Sequence, residues 1–423
     1  MKTLFTNANI LDIEKGKLVL GSVEVTDGTI TNVGNNTNTG EYDRIIDCKG
    51  NILMPGFVNT HCHTPMTLLR SLKDDAPLNE WLFDNVLPTE AKITPEDVYW
   101  GEYLGIAESV RGGITAIEEG YFHNSRVSEV LKKSGMRGRI GIGPAMRDIG
   151  MSNVEYLEQC AKDINNSDKV QTSCFIHAVY TTSEKAIRES IEFADKNNIA
   201  LSIHLSETEK ENSEHLAKTG LTPTQYLEKL GFFKHRCLCY HCVDMTDNDI
   251  DILRNNKSSV ATCPSSNLKL GSGIAPIVKM FHKGINISIG TDGVASNNSL
   301  DMFKEMFLVA TLCKVCPNGT GILPVIDILR MATINGAKAL GINSGEIKTG
   351  KNADIILIDI HQPHYYPHDN LLSHLVYSGK SSDVCLTMID GKIVYENGQY
   401  NIGEDIEQIY KNSNQIRARL LSK

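Results

Sequence analysis

His61 and His63 sit two residues apart in VNTHCH, a run that reads as a β-strand. Side chains alternate faces along a strand, so both imidazoles point one way and Cys62 the other, which takes the thiol out of the ligand set. Two imidazoles on one face can hold a divalent metal. The pair is a weak signal alone, and it gains weight at the end of a first strand entered through Pro55-Gly56. His204 closes ALSIHL and Asp292 closes INISIGTD. Three neutral imidazoles and a carboxylate suit one borderline-soft ion per chain, zinc first, with Fe2+ or Mn2+ as substitutes. A buried Asp292 without a partner would be costly, which favours the ligand role. His177 and His241 close two further strand-like runs on the same parity, as ligands or substrate contacts. Glu207, in HLSE, falls just past the strand that ends with His204, where a carboxylate can lean over a metal.

The elements that must position these residues alternate. Strand-like VNTHCH, ITAIEE, RIGIG, TSCFIHA, ALSIHL, CLCYHC, SSVATC and INISIGTD are separated by helix-like stretches such as TPEDVYWGEYLGIAESVRG, SEKAIRESIEFADKNN and TDNDIDILRNN. Eight strands in one series, at about 33 residues per unit, favour a closed (β/α)8 barrel over a doubly wound sheet. In INISIGTD, Ile285, Ile287 and Ile289 share one face while Asn286, Ser288, Gly290 and Asp292 share the other. In ALSIHL the inward set is Ala200, Ser202 and His204. Barrel sites form at the C-terminal strand ends, so the polar ends should meet in one mouth. Both chain ends read instead as short strands with tight turns at Asp27-Gly28, Asp390-Gly391 and Asn397-Gly398. The expected fold is therefore α/β: a TIM-like barrel over 56–344, with a discontinuous small β-sandwich domain built from 1–55 and 345–423.

Composition narrows the function. A chain of 423 residues, 41% hydrophobic and 22% charged, is neither disordered nor a coiled coil. With 42 Lys and Arg against 51 Asp and Glu, the formal charge is −9, and no basic stripe answers to nucleic acid. No run reaches the roughly 18 apolar residues of a membrane span, and the N-terminus lacks a signal-peptide core, so the expectation is a soluble, cytoplasmic protein without a membrane partner. A homo-oligomer is compatible with this pattern. Eleven cysteines suggest reduced thiols; Cys237, Cys239, Cys242, Cys313 and Cys316 read as packing residues, and Pro317 follows its CxxC rather than preceding it, unlike the cytidine-deaminase zinc motif. His361, His364 and His368 read as surface histidines of an irregular loop.

Together PGFVNTHCHTPM, HLSETEKE, YHCVDMTD, PSSNLKLGSGIAP and GTDGVASNNSLDMF resemble the mononuclear zinc deaminases of the amidohydrolase superfamily, most closely the 5-methylthioadenosine/S-adenosylhomocysteine deaminases. The resemblance covers nearly the whole chain. It implies a metal held by His61, His63, His204 and Asp292, and a single one, because TSCFIHAVYT has no lysine where two-metal relatives carry a carbamylated one. It further implies deamination of an adenosine-type nucleoside at C6, with Asp292 taking the proton of the attacking water, His241 orienting it, and Glu207 as the acid-base group. Trp81, Glu90, His177 and Ser296 would line the nucleoside site, with Glu90 accepting ribose hydroxyls. A guanine deaminase or a triazine hydrolase on the same scaffold is the alternative. A non-catalytic paralogue should have lost ligands that this chain keeps.

One segment departs from the pattern. Relatives that act on S-adenosylhomocysteine grip its carboxylate with arginines after the third strand, whereas GPAMRDIGMSN offers only Arg147, and the matching positions fall on Pro144 and Asn153. A neutral 5′ group is therefore expected to be handled at least as well, with Arg147 as the remaining anchor.

Overall fold

Eight parallel strands follow one another in chain order around a barrel: Phe57–Cys62, Ile114–Glu119, Arg137–Ile142, Val170–Ile176, Leu201–Leu205, Cys237–His241, Ser259–Thr262 and Asn286–Ile289. Each begins within two residues of a run read from the sequence, so the parity arguments carry over. The computed structural model describes residues 1–34, 40–144, 151–315 and 323–422. The first and eighth strands meet through the Asp292 N–H, which donates to the His61 carbonyl (2.9 Å), and through the Thr60 hydroxyl, which donates to the Ile289 carbonyl (2.9 Å). This seam joins two of the candidate metal ligands.

Helices cover the barrel, and local sequence sets where they start. Pro95–Arg111 opens with Thr94 as N-cap in a reciprocal box with Asp97, and buries Val98, Ile106 and Val110 on one stripe. Glu184–Asn197 is capped by Ser183 and buries Ala186, Ile187, Ser190, Phe193 and Ala194 at three- and four-residue spacing. Between the first strand and the first of these helices the chain makes a long excursion through Thr64–Leu69, a π-helical turn at Glu80–Val86, and Leu87–Glu90. Trp81 and Glu90 ride on it.

The chain ends form one mixed sheet of nine strands, joined where Ile52–Pro55 pairs antiparallel with Ile355–Ile358. The sheet curls: the Gly391 N–H donates to the Ala353 carbonyl (3.1 Å) and the Ala353 N–H to the Gly28 carbonyl (2.8 Å), which brings two hairpin ends from distant strands together. Phe5, Ile10, Val23, Ile30, Leu53, Ile355, Leu386 and Met388 fill the space inside. The two layers of the sandwich thus come from a single sheet. Buried Arg137, at the start of the third barrel strand, pairs with buried Asp354 (Nε to Oδ2, 2.8 Å), which also accepts from the Ser344 hydroxyl (2.5 Å) and the Asp390 N–H (2.8 Å). The last helix, Ile406–Leu421, packs on Pro95–Arg111 and Thr64–Leu69, with Arg417 donating to the Leu68 carbonyl (3.0 Å) and Arg419 paired with Asp97.

Cys48, Cys62, Cys160, Cys174, Cys237, Cys239, Cys242, Cys263 and Cys385 are free thiols. His361 and His368 are exposed and His364 partly so, and each ring is hydrogen-bonded to the protein, at Lys49 O, Ile360 O and the Asp383 carboxylate respectively for His361, His368 and His364. Among the described residues no helix is long and apolar enough to cross a membrane.

Candidate metal centre and active site

His61, His63, His204 and Asp292 converge at the C-terminal mouth of the barrel, all four buried. His61 Nε2 stands 3.3 Å and His63 Nε2 3.4 Å from Asp292 Oδ1, and His204 Nε2 stands 3.2 Å from His61 Nε2. Ligand atoms about 2.0–2.1 Å from a common ion lie about 3.3 Å apart in a tetrahedron, a spacing that Asp292 makes with His61 and His63 and that His61 makes with His204; by mutual distance His61, His63 and Asp292 form one set and His61, His204 and His241 an overlapping one. The proton arrangement fits too. His63 donates Nδ1–H to the Gly120 carbonyl (2.5 Å), which leaves Nε2 bare for a metal. Burial pushes His61 down to about 3 and His204 well below its usual value, so both rings are neutral and can ligate. Burial alone would raise the Asp292 carboxyl, but His61, His241 and His63 outweigh it and hold the group well below the usual carboxylate range.

Backbone geometry at the strand ends aims these groups. Ser206 (φ 49°), His241 (φ 66°) and Asp292 (φ 64°) all occupy the left-handed region, uncommon for residues other than glycine, and all three follow or end a barrel strand. Asp292 is further fixed by hydrogen bonds from the Ser266 hydroxyl (2.5 Å), the Ser296 hydroxyl (3.0 Å) and the Gly293 N–H (2.6 Å). Ser296 therefore holds the aspartate directly. Trp81 donates its indole N–H to the Ala295 carbonyl (3.2 Å), tying the excursion to the same loop.

His241 donates Nδ1–H to the Asn267 side-chain oxygen (2.9 Å), and its Nε2 lies 4.0 Å from Glu207 Oε2. Burial works against the charged imidazole, but the carboxylates of Glu207 and Asp292 overcome it and raise His241. Its ring is also close enough to His61 and His204 for the three nitrogens to lie within 4.8 Å of one another. Burial raises the Glu207 carboxyl while His241 pulls it back, which brings it toward the range useful to a proton carrier. The Glu207 N–H donates to Glu211 Oε2 (2.8 Å), and burial pushes Glu211 up to about 8. His177 packs edge-on to His204 with ring centres 4.9 Å apart and bonds Thr181 through Nδ1 (2.7 Å); burial lowers it to about 4. Glu90 accepts from the Tyr121 hydroxyl (2.6 Å), and burial pushes its carboxyl up to about 7.

Arg147 lies outside the described residues. Asn153 opens the helix Asn153–Ile164 and donates its amide to Glu189 (2.8 Å). Cys62 faces away from the mouth, against Glu119 Oε2 (3.3 Å) and the Thr64 hydroxyl (3.3 Å), as strand parity requires. Sequence reasoning missed Gly120, Tyr121, Glu211, Ser266 and Asn267. The last two stand in PSSNLKLG and Glu211 in HLSETEKE, motifs that carried a family likeness without individual roles; Gly120 and Tyr121 act through contacts between elements that no local spacing records.

A (β/α)8 barrel with imidazoles and a carboxylate gathered at its mouth, beside a buried glutamate-histidine pair, defines the class of barrel hydrolases with a metal-binding mouth. The chain belongs to the Amidohydrolase family, whose pattern matches residues 52–394. It is 39% identical over 409 residues to the 5'-deoxyadenosine deaminase of Methanothermobacter thermautotrophicus, covering 95% of each chain. It is 41% identical over 387 residues to the 5-methylthioadenosine/S-adenosylhomocysteine deaminase of Acetivibrio thermocellus, covering 90% of this chain and 89% of that one. The crystal structure of an adenosine deaminase from Xanthomonas campestris with bound zinc superposes with a TM-score of 0.94 at 32% identity, over 99% of this chain and 98% of that one.

Proposed function

We propose that this protein is a hydrolytic deaminase of adenosine-type nucleosides, adding water at C6 of the purine and releasing ammonia and an inosine-type product. The observation that carries the reading is the Glu207–His241 pair, Oε2 to Nε2 4.0 Å, beside two sets of ligand atoms that share His61: His61, His63 and Asp292, and His61, His204 and His241. His61, His63, His204 and Asp292 would hold one divalent ion, zinc first on the chemistry of the donors. When bound, such an ion lowers the pKa of a coordinated water toward about 7 and so supplies a nucleophile at neutral pH.

The chain's own residues do the rest. Asp292, ionised and fixed by Ser266, Ser296 and Gly293, accepts the proton of the attacking water. His241, with its Nδ1–H committed to Asn267 and its affinity for a second proton raised, offers Nε2–H to the oxygen gaining charge on C6. Glu207 delivers its proton to the ring nitrogen beside C6, takes up the proton of the C6 hydroxyl as the carbonyl forms and passes it to the departing ammonia; the proton held by Asp292 then restores Glu207. Trp81, Glu90, His177 and Ser296 bind the nucleoside, with Glu90 toward the sugar. Barrel 56–344 carries this chemistry, and segments 1–55 and 345–423 form the flanking domain. Free thiols such as Cys48, Cys62, Cys174 and Cys239 fit the reducing cytoplasm.

At the 5′ end the reading favours a neutral substituent. The segment after the third strand contributes Pro144, and Asn153 is committed to Glu189, so Arg147 is the one arginine there to meet a carboxylate. A charge-assisted contact of that kind is worth roughly 1.5–3 kcal/mol, or about ten- to a hundredfold in preference. The names of the relatives above, one for 5'-deoxyadenosine, accord with this.

The test is ammonia release from a panel: adenosine, 5′-deoxyadenosine, 5′-methylthioadenosine, S-adenosylhomocysteine, guanine and an aminotriazine. Turnover of the adenosine types is expected, with kcat/KM for 5′-deoxyadenosine or 5′-methylthioadenosine at least equal to that for S-adenosylhomocysteine. Turnover confined to guanine or the triazine would overturn the reading.

A further inference from the structure

We propose that Tyr121 is a positioning residue that gives this site its preference for a ribose diol over a deoxygenated sugar, by holding the Glu90 carboxylate in one orientation. The inference rests on the reading of Glu90 as the sugar contact and names the group that makes Glu90 selective.

The two residues come from different elements. Glu90 ends the short helix Leu87–Glu90 on the excursion after the first strand, while Tyr121 follows the second strand, Ile114–Glu119. Tyr121 comes directly after Gly120, whose carbonyl takes the His63 Nδ1–H, so one strand end sets a metal ligand and a carboxylate of the sugar site together. The Tyr121 hydroxyl donates to Glu90 Oε1 at 2.6 Å, and among the described residues no other side chain bonds that carboxylate. Tyr121 is buried and its ring stacks on that of Phe122 at 4.1 Å between ring centres, which restrains the plane of the phenol. Burial pushes the phenol far above its ordinary value, so it remains a donor throughout the working pH range.

Burial pushes the Glu90 carboxyl up to about 7, and once ionised above that it has about four acceptor positions and no donor. The phenol occupies one of them on Oε1 and leaves Oε2 whole, an arrangement that complements the two neighbouring hydroxyls of a ribose. Hydrogen bonds to a charged acceptor are the stronger kind, and an acceptor already fixed loses less on binding than one that must first be ordered. A sugar without the diol gains nothing from either effect. A tie that served only to anchor the excursion would instead influence every substrate alike.

The experiment measures steady-state kinetics of the metal-loaded, full-length enzyme on adenosine and on 2′,3′-dideoxyadenosine, for wild type, Tyr121→Phe and Glu90→Gln. Phenylalanine keeps the ring and its packing and deletes the donor. For Tyr121→Phe the ratio of kcat/KM for adenosine to that for dideoxyadenosine should fall about tenfold, the loss of one hydrogen bond to a charged group, and the fall should appear in KM rather than kcat. Glu90→Gln should lower the same ratio, which keeps the inference testable should Tyr121→Phe fold poorly. A ratio unchanged in either variant, or a Tyr121→Phe enzyme impaired equally on both substrates, would overturn the inference while leaving the deaminase reading intact. Failure of the wild type to deaminate adenosine would remove that reading, and the inference with it.

Discussion

Glu207 and the four candidate ligands make separable claims at the scale of single residues. Replacing Glu207 with glutamine preserves shape and removes the proton. Glu207→Gln should therefore keep its metal while turnover falls about 10²- to 10⁴-fold, the usual cost of losing a positioned acid-base group. Parallel elemental analysis and ammonia-release kinetics check both halves. A near-normal rate would move the acid elsewhere. The three ligand pairs at 3.2–3.4 Å have the separation of neighbours on one ion, so purified protein should carry about one divalent ion per chain and lose activity on exhaustive chelation. Two tightly held ions per active chain would contradict that geometry.

Strands carry the next level of the argument, because a period of two converts a position in sequence into a direction in space. That is why the sequence separates His61 and His63 from Cys62 and assigns His204 and Asp292 to the inner face. The seam between the first and eighth strands is the element on which the centre depends most. A Cβ placed on Gly290 would lie 2.7 Å from His61 Cβ and 3.0 Å from its backbone nitrogen, closer than real Cβ contacts allow. Gly290→Ala should push these strands apart, costing about 1–3 kcal/mol in stability and loosening the metal site between them. Denaturant unfolding and a metal-binding titration should both register it; unchanged metal affinity would show that the seam is not what sets the ligand spacing.

Across the whole molecule, the barrel and the curled sheet are locked by a buried ion pair, Arg137 with Asp354, side-chain exposure 5% and 1%. Removing one charge from such a pair strands the other without solvent. Asp354→Ala should lower unfolding stability by about 3–5 kcal/mol, read as a lower denaturant midpoint. The metal ligands are on the opposite strand ends, so the metal content of the folded fraction should be retained. A small stability change would mean that Asp390, 3.5 Å from Arg137, compensates. The C-terminal helix gives a second tie at this scale, since Arg417 and Arg419 reach back to the excursion and to the helix that follows it.

Eight strands, their order and the inward set His61, His63, His204, His241 and Asp292 were legible in the sequence because hydrophobic periodicity and strand parity are local properties. The motifs made the family legible as well. What only the tertiary structure decided is who holds whom: Ser266 and Ser296 on Asp292, Asn267 on His241, Glu211 under Glu207, and Tyr121 on Glu90. Apart from the neighbours within one turn, these pairs join segments that follow different barrel strands, and closure of the barrel is what brings them within hydrogen-bonding range. The single curled sheet escaped for the same reason, since Gly28 and Gly391 lie far apart in the chain and meet only when the sheet bends. Local sequence dictates which face a side chain takes, whereas its partner across the mouth depends on curvature and closure, which are properties of the assembled strands.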